Sequence, residues 1–203
     1  MSGPSSHAFL YERIKEDLLQ GAAEATERID LAQIADHHRI SVTPVREVMF
    51  QLIGERIVEL NELGGFRLPR LSADRLRALY MWQGQHLLTI VGLLPEPGLA
   101  RTLQPTQQRL ERTTDDTALF GALTRDLAAA TGNSELLELT AAARDRLASA
   151  TRAELLLFPD VRREIRSIAR TDIANVRHNV RRRLLAYHRR RAEHAEQIAS
   201  LIA

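Results

Sequence analysis

A chain of 203 residues is long enough for one or two domains with buried cores. It holds no cysteine, so it has no disulfide framework and no thiol chemistry, which suits a reducing cytoplasm. No apolar run approaches the roughly 18 residues of a membrane span and the N-terminus lacks the apolar stretch of a signal peptide, so the expectation is a cytoplasmic protein with no membrane partner. The net charge of +2 is unevenly spread: residues 1–72 carry 8 basic and 11 acidic side chains, the remainder 20 and 15. A nucleic-acid-binding domain is as a rule basic overall. Any DNA-facing surface in the first part therefore rests on a few well-placed arginines.

In chain order, the first readable element is a short helix over Leu31 to His37. After a turn, Thr43 offers a hydroxyl N-cap, and Pro44 stands at the first helical position, where its missing N–H costs nothing. Val45, Val48, Met49 and Leu52 recur at i, i+3, i+4 and i+7 and predict one buried stripe. Arg46 and Phe50 share another face, with Ser41 and Thr43 at the N-terminal mouth. Two short helices, the second with a hydroxyl-rich start and an exposed arginine, have the plan of a helix-turn-helix that reads DNA. Next, Ile57 to Leu60 is β-prone, Asn61 to Gly65 is a turn, and Phe66 to Pro69 is a second strand, with Gly64-Gly65 as the hairpin signal. Helix-turn-helix followed by hairpin is a winged helix, whose wing can lie along the phosphate backbone with Arg67 and Arg70 as contacts.

From Leu71 onward the pattern is helical. Ser72 caps a helix carrying Leu76, Leu79, Tyr80, Leu87 and Val91, which Pro95-Glu96-Pro97-Gly98 ends. A helix over Ala100 to Arg112 follows, then one capped by Thr114 that runs through Leu119, Phe120, Leu123 and Leu127 to Ala130. Gly132-Asn133 is a stop, and Ser134 opens the next helix with Leu136, Leu137, Leu139 and Leu147. After Pro159-Asp160 come one or two long helices. There is no strand alternation and no internal repeat, so this part is expected to be an all-α bundle. The fold class is mostly α: a winged helix-turn-helix with a small β-hairpin wing over 1–71, then an all-α helical bundle over 72–203. Within the bundle, Arg162 to Arg191 holds 11 arginines against Glu164 and Asp172. They read as a second nucleic-acid surface or anion site, or as a solvated helix face. The second reading is preferred, because Ile165, Ile168, Val176, Val180, Leu184 and Tyr187 recur at helical spacing.

Residues 8–69 resemble the DNA-binding domain of the GntR family of bacterial transcriptional regulators. The resemblance is carried by Leu10-Tyr11-Glu12-Arg13-Ile14 with Gly21, by Leu31-Ala32-Gln33-Ile34-Ala35, by Ile40-Ser41-Val42-Thr43-Pro44-Val45-Arg46-Glu47, and by Gly64-Gly65-Phe66-Arg67-Leu68. It implies that Ser41, Thr43, Arg46 and the wing glycine meet bases and phosphates of a double-stranded operator. Ala32 and Val42 stand where many relatives carry arginine, and Ala22 to Glu27 replace the usual proline-glycine loop. A different operator or affinity is therefore expected.

The second part resembles the FCD type of effector-binding bundle found in the FadR-like branch of that family. The residues concerned are Leu123 to Asn133 and Glu193-His194-Ala195-Glu196-Gln197-Ile198. The resemblance implies a small-molecule effector in the bundle, a homodimer formed through it, and, in many members, a divalent metal on one Asp and three His. Here Phe120 occupies the Asp position and Thr124 the first His position, His194 matches the second, and the last falls beyond Ala203. One imidazole does not hold such an ion, so no metal and no cofactor are expected. Gln83 stands where relatives carry a carboxylate-binding arginine, so no guanidinium clamp is evident there. Gln83, His86, Thr124 and His194 are the candidate effector-pocket residues, and the effector itself is unknown.

The remaining histidines take plainer readings. His37 and His38 end a helix, where a cation suits the dipole. His86 lies beside Leu87 on an apolar face as a core or pocket-lining residue, with Trp82 nearby. No nucleophile elbow, phosphate-binding glycine loop or ligand-spaced His/carboxylate cluster is present, so an enzyme is not expected. The sequence points to a homodimeric regulator reading a palindromic operator under small-molecule control. The alternative is a helical protein–protein interaction module that has lost specific DNA reading, favoured by the acidic first domain.

Overall fold

The computed structural model of the protein describes residues 6–21, 28–114, 116–172 and 174–202. The altered loop at Ala22 to Glu27 lies outside the described residues. Two compact units divide between Leu71 and Ser72.

The first unit comprises α1 (Ser6–Leu19), α2 (Leu31–His38), α3 (Val42–Gly54) and an antiparallel hairpin of β1 (Glu59–Leu60) and β2 (Phe66–Arg67). Asp30 caps α2, its carboxylate accepting from Ala32 N at 2.8 Å and Gln33 N at 3.2 Å. The turn to α3 closes with Arg39 in the left-handed conformation at φ 56°; Ile40 N donates to Ala35 O and Arg39 N to Asp36 O. This is the paired bonding of a Schellman C-cap. Val45, Val48, Met49 and Leu52 are fully buried against Ile14 and Leu18 of α1, Ala35 of α2 and Phe66 of the wing.

Two local expectations are corrected here. The cap position of α3 is Ser41, with no side-chain cap bond, which places Thr43 and Pro44 as its second and third residues. Proline is tolerated there because first-turn N–H groups have no intrahelical acceptor. The strands are also shorter than expected. Ile57 N and Val58 N donate to Leu52 O at the end of α3, so neither is free to join the ladder. The hairpin gains a flank instead: Arg28 bridges Arg67, and Ile29 N donates to Phe66 O at 2.8 Å.

The second unit is all helical among the described residues: α4 (Ala73–Leu93), α5 (Glu96–Arg112), α6 (Thr117–Ala129), α7 (Ser134–Arg146), α8 (Ala148–Leu157), α9 (Val161–Ile168), α10 (Val176–Glu193) and α11 (Ala195–Leu201). The long helices α4 and α10 pack on each other most extensively, with α6 against α5 and α7. Ser72 caps α4 and Asn133 caps α7, each side chain accepting first-turn N–H bonds. Helix α5 begins at Glu96 rather than Ala100, with Pro97 in the first turn where its lack of N–H is harmless. Asp116, not Thr114, is the cap position of α6. A break at Leu147 separates α7 from α8, and the C-terminal region is three helices, of which only α10 is long.

The arginine-rich segment is mostly structural. Arg162 donates to the carbonyls of Leu110 and Thr113 at the end of α5 and to Asp116. Arg177 and Arg181 reach Leu94 O and Leu88 O near the end of α4. For Arg162 and Arg177 the acceptors are carbonyls at helix C-termini, where a cation suits the dipole; Leu88 O lies more than a turn inside α4. Arg190 pairs with Asp160 and Glu164, and the fully buried Arg191 with Glu154 and Glu164. No helix among the described residues is long and apolar enough to cross a membrane.

Candidate nucleic-acid interface and helical cavity

Helix α3 divides its faces as the periodicity requires. One carries the core stripe; the other exposes Ser41, Thr43, Arg46 and Phe50. Because Ser41 makes no side-chain cap bond, its hydroxyl remains available to an incoming partner. Phe50 is anchored edge-on to Phe66 of the wing, with ring centroids 5.3 Å apart, which fixes the hairpin beside the exposed face. At the wing tip, Asn61 Oδ1 accepts from Leu63 N and Gly64 N donates to Asn61 O. Gly64 and Gly65 take φ of +85° and +88°, which only glycine adopts without strain. Leu63 is 94% exposed at this tip.

An open groove runs between the start of α2, the exposed face of α3 and the wing, lined among others by Arg28, Ala32, Val42, Arg46, Phe50 and Gly65. Asp30 also lines it, but its carboxylate is engaged in capping α2. Arg28 was not legible in the sequence, since it belongs to no periodic element and only the bridge to Arg67 places it. Its guanidinium lies across Gly65, where a Cβ would sit 2.6 Å from Arg28 Nε. Arg67, a phosphate candidate on sequence, instead pairs with Glu59 across the hairpin at 2.8 Å. Its charge is thus partly spent within the wing, while Arg70 is exposed. His37 and His38 face Asp17 of α1, with His38 Nε2 2.9 Å from the carboxylate, so the contact is an interhelix tie as well as a favourable helix end.

The helical unit contains its own cavity of about 220 Å³, lined among others by Gln83, Phe120, Thr124, Arg125, Arg144 and Glu154. Of the four candidate pocket residues it gathers Gln83 and Thr124, not His86 or His194. His86 stacks on Trp82 and bonds Thr140 Oγ1 at 2.9 Å. Thr140 gives its single hydroxyl proton to Leu136 O, so His86 donates through Nε2–H. Burial lowers the His86 pKa. His194 donates Nδ1–H to Arg190 O at the junction of α10 and α11, edge-on to Phe158.

His188 is buried beside Gln83. Burial pushes its pKa down to about 4. Its Nδ1–H donates to Leu184 O, and Nε2 lies 3.2 Å from Gln83 Oε1; a neutral ring protonated on Nδ1 accepts at Nε2, which calls for the flipped Gln83 amide with its NH₂ toward the ring. The cavity also borders Glu154, whose carboxylate accepts from Tyr80 OH at 2.6 Å and Arg191 Nε at 2.5 Å. Burial, then Glu154, raises the Tyr80 pKa, so the phenol stays a donor. Arg125 and Arg144 bring cations to the more exposed part of the lining.

Comparison with known proteins bears on the winged unit most directly. Residues 7–68 match the bacterial regulatory proteins of the gntR family. Residues 7–68 are a GntR-type winged helix. The HTH-type transcriptional repressor GlaR of Escherichia coli K12 is 26% identical over 70 residues, covering 34% of this chain. The chain spans 32% of the length of that curated relative. Among solved structures, E. coli McbR/YncC is similar at a TM-score of 0.69 and 18% identity, covering 96% of this chain and 99% of its own. A GntR transcriptional regulator from Rhodococcus sp. RHA1 gives 0.70 and 17%, covering 97% and 99%. At such identities the likeness speaks to the fold alone, a winged helix followed by a helical C-terminal domain.

The positions that the FCD resemblance matches to metal ligands are occupied differently here. Phe120 stacks flat on Tyr187, centroids 4.1 Å apart, and edge-on to His188. Thr124 is buried and donates to Gly121 O. An aromatic ring, a committed hydroxyl and one imidazole do not fit a divalent ion, which needs three or more protein ligands.

Proposed function

We propose that this protein is a DNA-binding transcriptional regulator of GntR type, acting in the cytoplasm as a homodimer on a palindromic operator. Each protomer would set the exposed face of α3 into a major groove and lay the wing along the backbone. The observation that carries this reading is the placement of Arg46, with the hydroxyls of Ser41 and Thr43, on the one face of α3 left outside the core and flanked by a glycine wing. Ser41, Thr43 and Arg46 are assigned to bases and nearby phosphates, and Gly64, Gly65 and Arg67 to the backbone beside the wing. Arg28 joins them from the facing wall of the groove. The acidic first unit does not oppose this, since counterion release depends on cations at the contact rather than on domain net charge.

The helical unit is assigned dimerisation and the sensing of a small molecule, without metal and without catalysis. The cavity beside Gln83 and Thr124 supports an effector site. Its occupancy would shift the balance between dimers that can and cannot place two recognition helices about one helical turn apart. Phe120 and Thr124 support the metal-free reading.

Duplexes selected from a random pool by the wild-type protein, then tested by gel shift over a salt series, check the DNA reading. Arg46→Ala should weaken the selected duplex by about 1–3 kcal/mol and relax preference at one position of each half-site. Equal binding by both proteins, or no binding by either at low salt, removes the operator-reading assignment and leaves the interaction module.

A further inference from the structure

Of the eleven arginines of Arg162 to Arg191, nine fall into two groups. Seven engage carboxylates or carbonyls: Arg162, Arg170, Arg177, Arg181, Arg189, Arg190 and Arg191. Those contacts explain why the chain carries them. Arg182 and Arg183 are different. They sit side by side on α10 and line an open groove against Glu164 and Ser167 of α9. Arg182 has only a 3.5 Å approach to Asn179. Arg183 is half-buried, and its Nε is buried with no acceptor among the described residues.

A guanidinium N–H withdrawn from water and left without an acceptor is costly, and a charged acceptor recovers most of that cost. A fully solvated arginine face would not have this feature. The acid in the groove does not supply the acceptor. Glu164 gives Oε1 to Arg190 and Oε2 to Arg191, each at 3.0 Å. Both of its oxygens therefore already accept from guanidinium N–H groups other than those of Arg182 and Arg183. Two adjacent forked donors match an oxyanion that accepts several N–H bonds at once, as phosphate does.

We propose that the α9–α10 groove is a binding site for a phosphate-type oxyanion, held by Arg182 and Arg183. The site is separate from the cavity at Gln83 and Thr124 and does not rest on the DNA-reading assignment. The phosphate belongs either to a small phosphorylated molecule or to a nucleic-acid backbone.

Inorganic phosphate titrated into the full-length protein at constant ionic strength, followed by calorimetry and ³¹P line broadening, is the direct test. Saturable binding is expected, weakened about tenfold by Arg182→Gln and by Arg183→Gln, as suits loss of a charge-assisted hydrogen bond. Arg183→Lys keeps the charge but not the fork and should bind between the two. Arg189→Gln, on the same helix but outside the groove, should bind as wild type. If Arg183→Gln lowers the melting temperature, exposed Arg182→Gln carries the comparison alone. A duplex titration distinguishes the sources: a lower salt slope in Arg182→Gln assigns the phosphate to nucleic acid, an unchanged slope to a small molecule. Absence of saturable phosphate binding, or equal binding by wild type and Arg182→Gln, overturns the proposal.

Discussion

Arg191 Nε lies 2.5 Å from Glu154 Oε2 inside the helical unit, and solvent reaches almost nothing of either side chain. The guanidinium also lies 3.2 Å from the centroid of the Tyr187 ring and donates to Glu164 and to Tyr187 O. Such a pair contributes little net stability compared with apolar packing, but breaking one side of it is expensive. Arg191→Met should therefore destabilise the protein by about 3–5 kcal/mol, because it strands the Glu154 carboxylate. Arg191→Met combined with Glu154→Leu should recover more than 1 kcal/mol of that loss, roughly, since the stranded charge is gone. Chemical denaturation of the three proteins decides it. A double variant no more stable than the single one would show that the network acts through Glu164 instead.

How much of this was legible from sequence depends on the kind of signal. The core stripe of α3 was readable because Val45, Val48, Met49 and Leu52 obey a local period, and the wing because Gly64-Gly65 is a local turn. The cap was misplaced because Ser41 and Thr43 are both good caps, and only backbone dihedrals choose between them. Arg28, Glu154 and His188 were missed for a common reason. Each owes its role to partners far along the chain: Gly65 for Arg28, Arg191 for Glu154, Gln83 for His188. The arginine segment looked like a solvated face because composition does not record that Arg162 and Arg177 bond the carbonyl ends of α5 and α4.

Gly64 and Gly65 share nearly the same backbone strain but not the same surroundings. Alanine at either pays for a left-handed φ, about 1–2 kcal/mol. At Gly64 the new methyl meets open space; at Gly65 it meets Arg28 Nε at 2.6 Å. Gly64→Ala and Gly65→Ala should thus melt at similar temperatures, since a flexible guanidinium can move aside. Only Gly65→Ala displaces Arg28 from the groove, so only there should the salt slope of DNA binding fall by about 1, as it would in Arg28→Gln. Equal slopes in Gly65→Ala and wild type would remove Arg28 from the interface.

Arg39 holds a conformation that glycine favours, at φ 56° in the turn between α2 and α3. Arg39→Gly removes roughly 1 kcal/mol of left-handed strain and costs somewhat less in unfolded-state entropy. The variant should be as stable as wild type or more so, by up to about 1 kcal/mol. A clear loss in denaturant midpoint would mean that the Arg39 side chain contributes packing that its exposed position does not suggest.

His188 makes the stability of the helical unit depend on pH. Its ring faces Gln83 and the Gly84 backbone from α4, Phe120 from α6, and Tyr187 and Arg191 on its own helix. Burial first, and the Arg191 charge in addition, oppose a second proton and hold the pKa near 4, against 6.5 for a free imidazole. Between those values the unfolded chain binds the proton and the folded chain does not. Stability is therefore complete above pH 6.5 and is lost as pH falls toward 4, by an amount on the order of 3 kcal/mol. His86, also lowered by burial, adds a smaller loss of the same sign. Melting temperatures measured from pH 7.5 to 4.5 should fall steeply for wild type and less steeply for His188→Gln, which keeps an amide opposite Gln83 but cannot be protonated. Parallel curves for the two proteins would place the acid sensitivity outside His188.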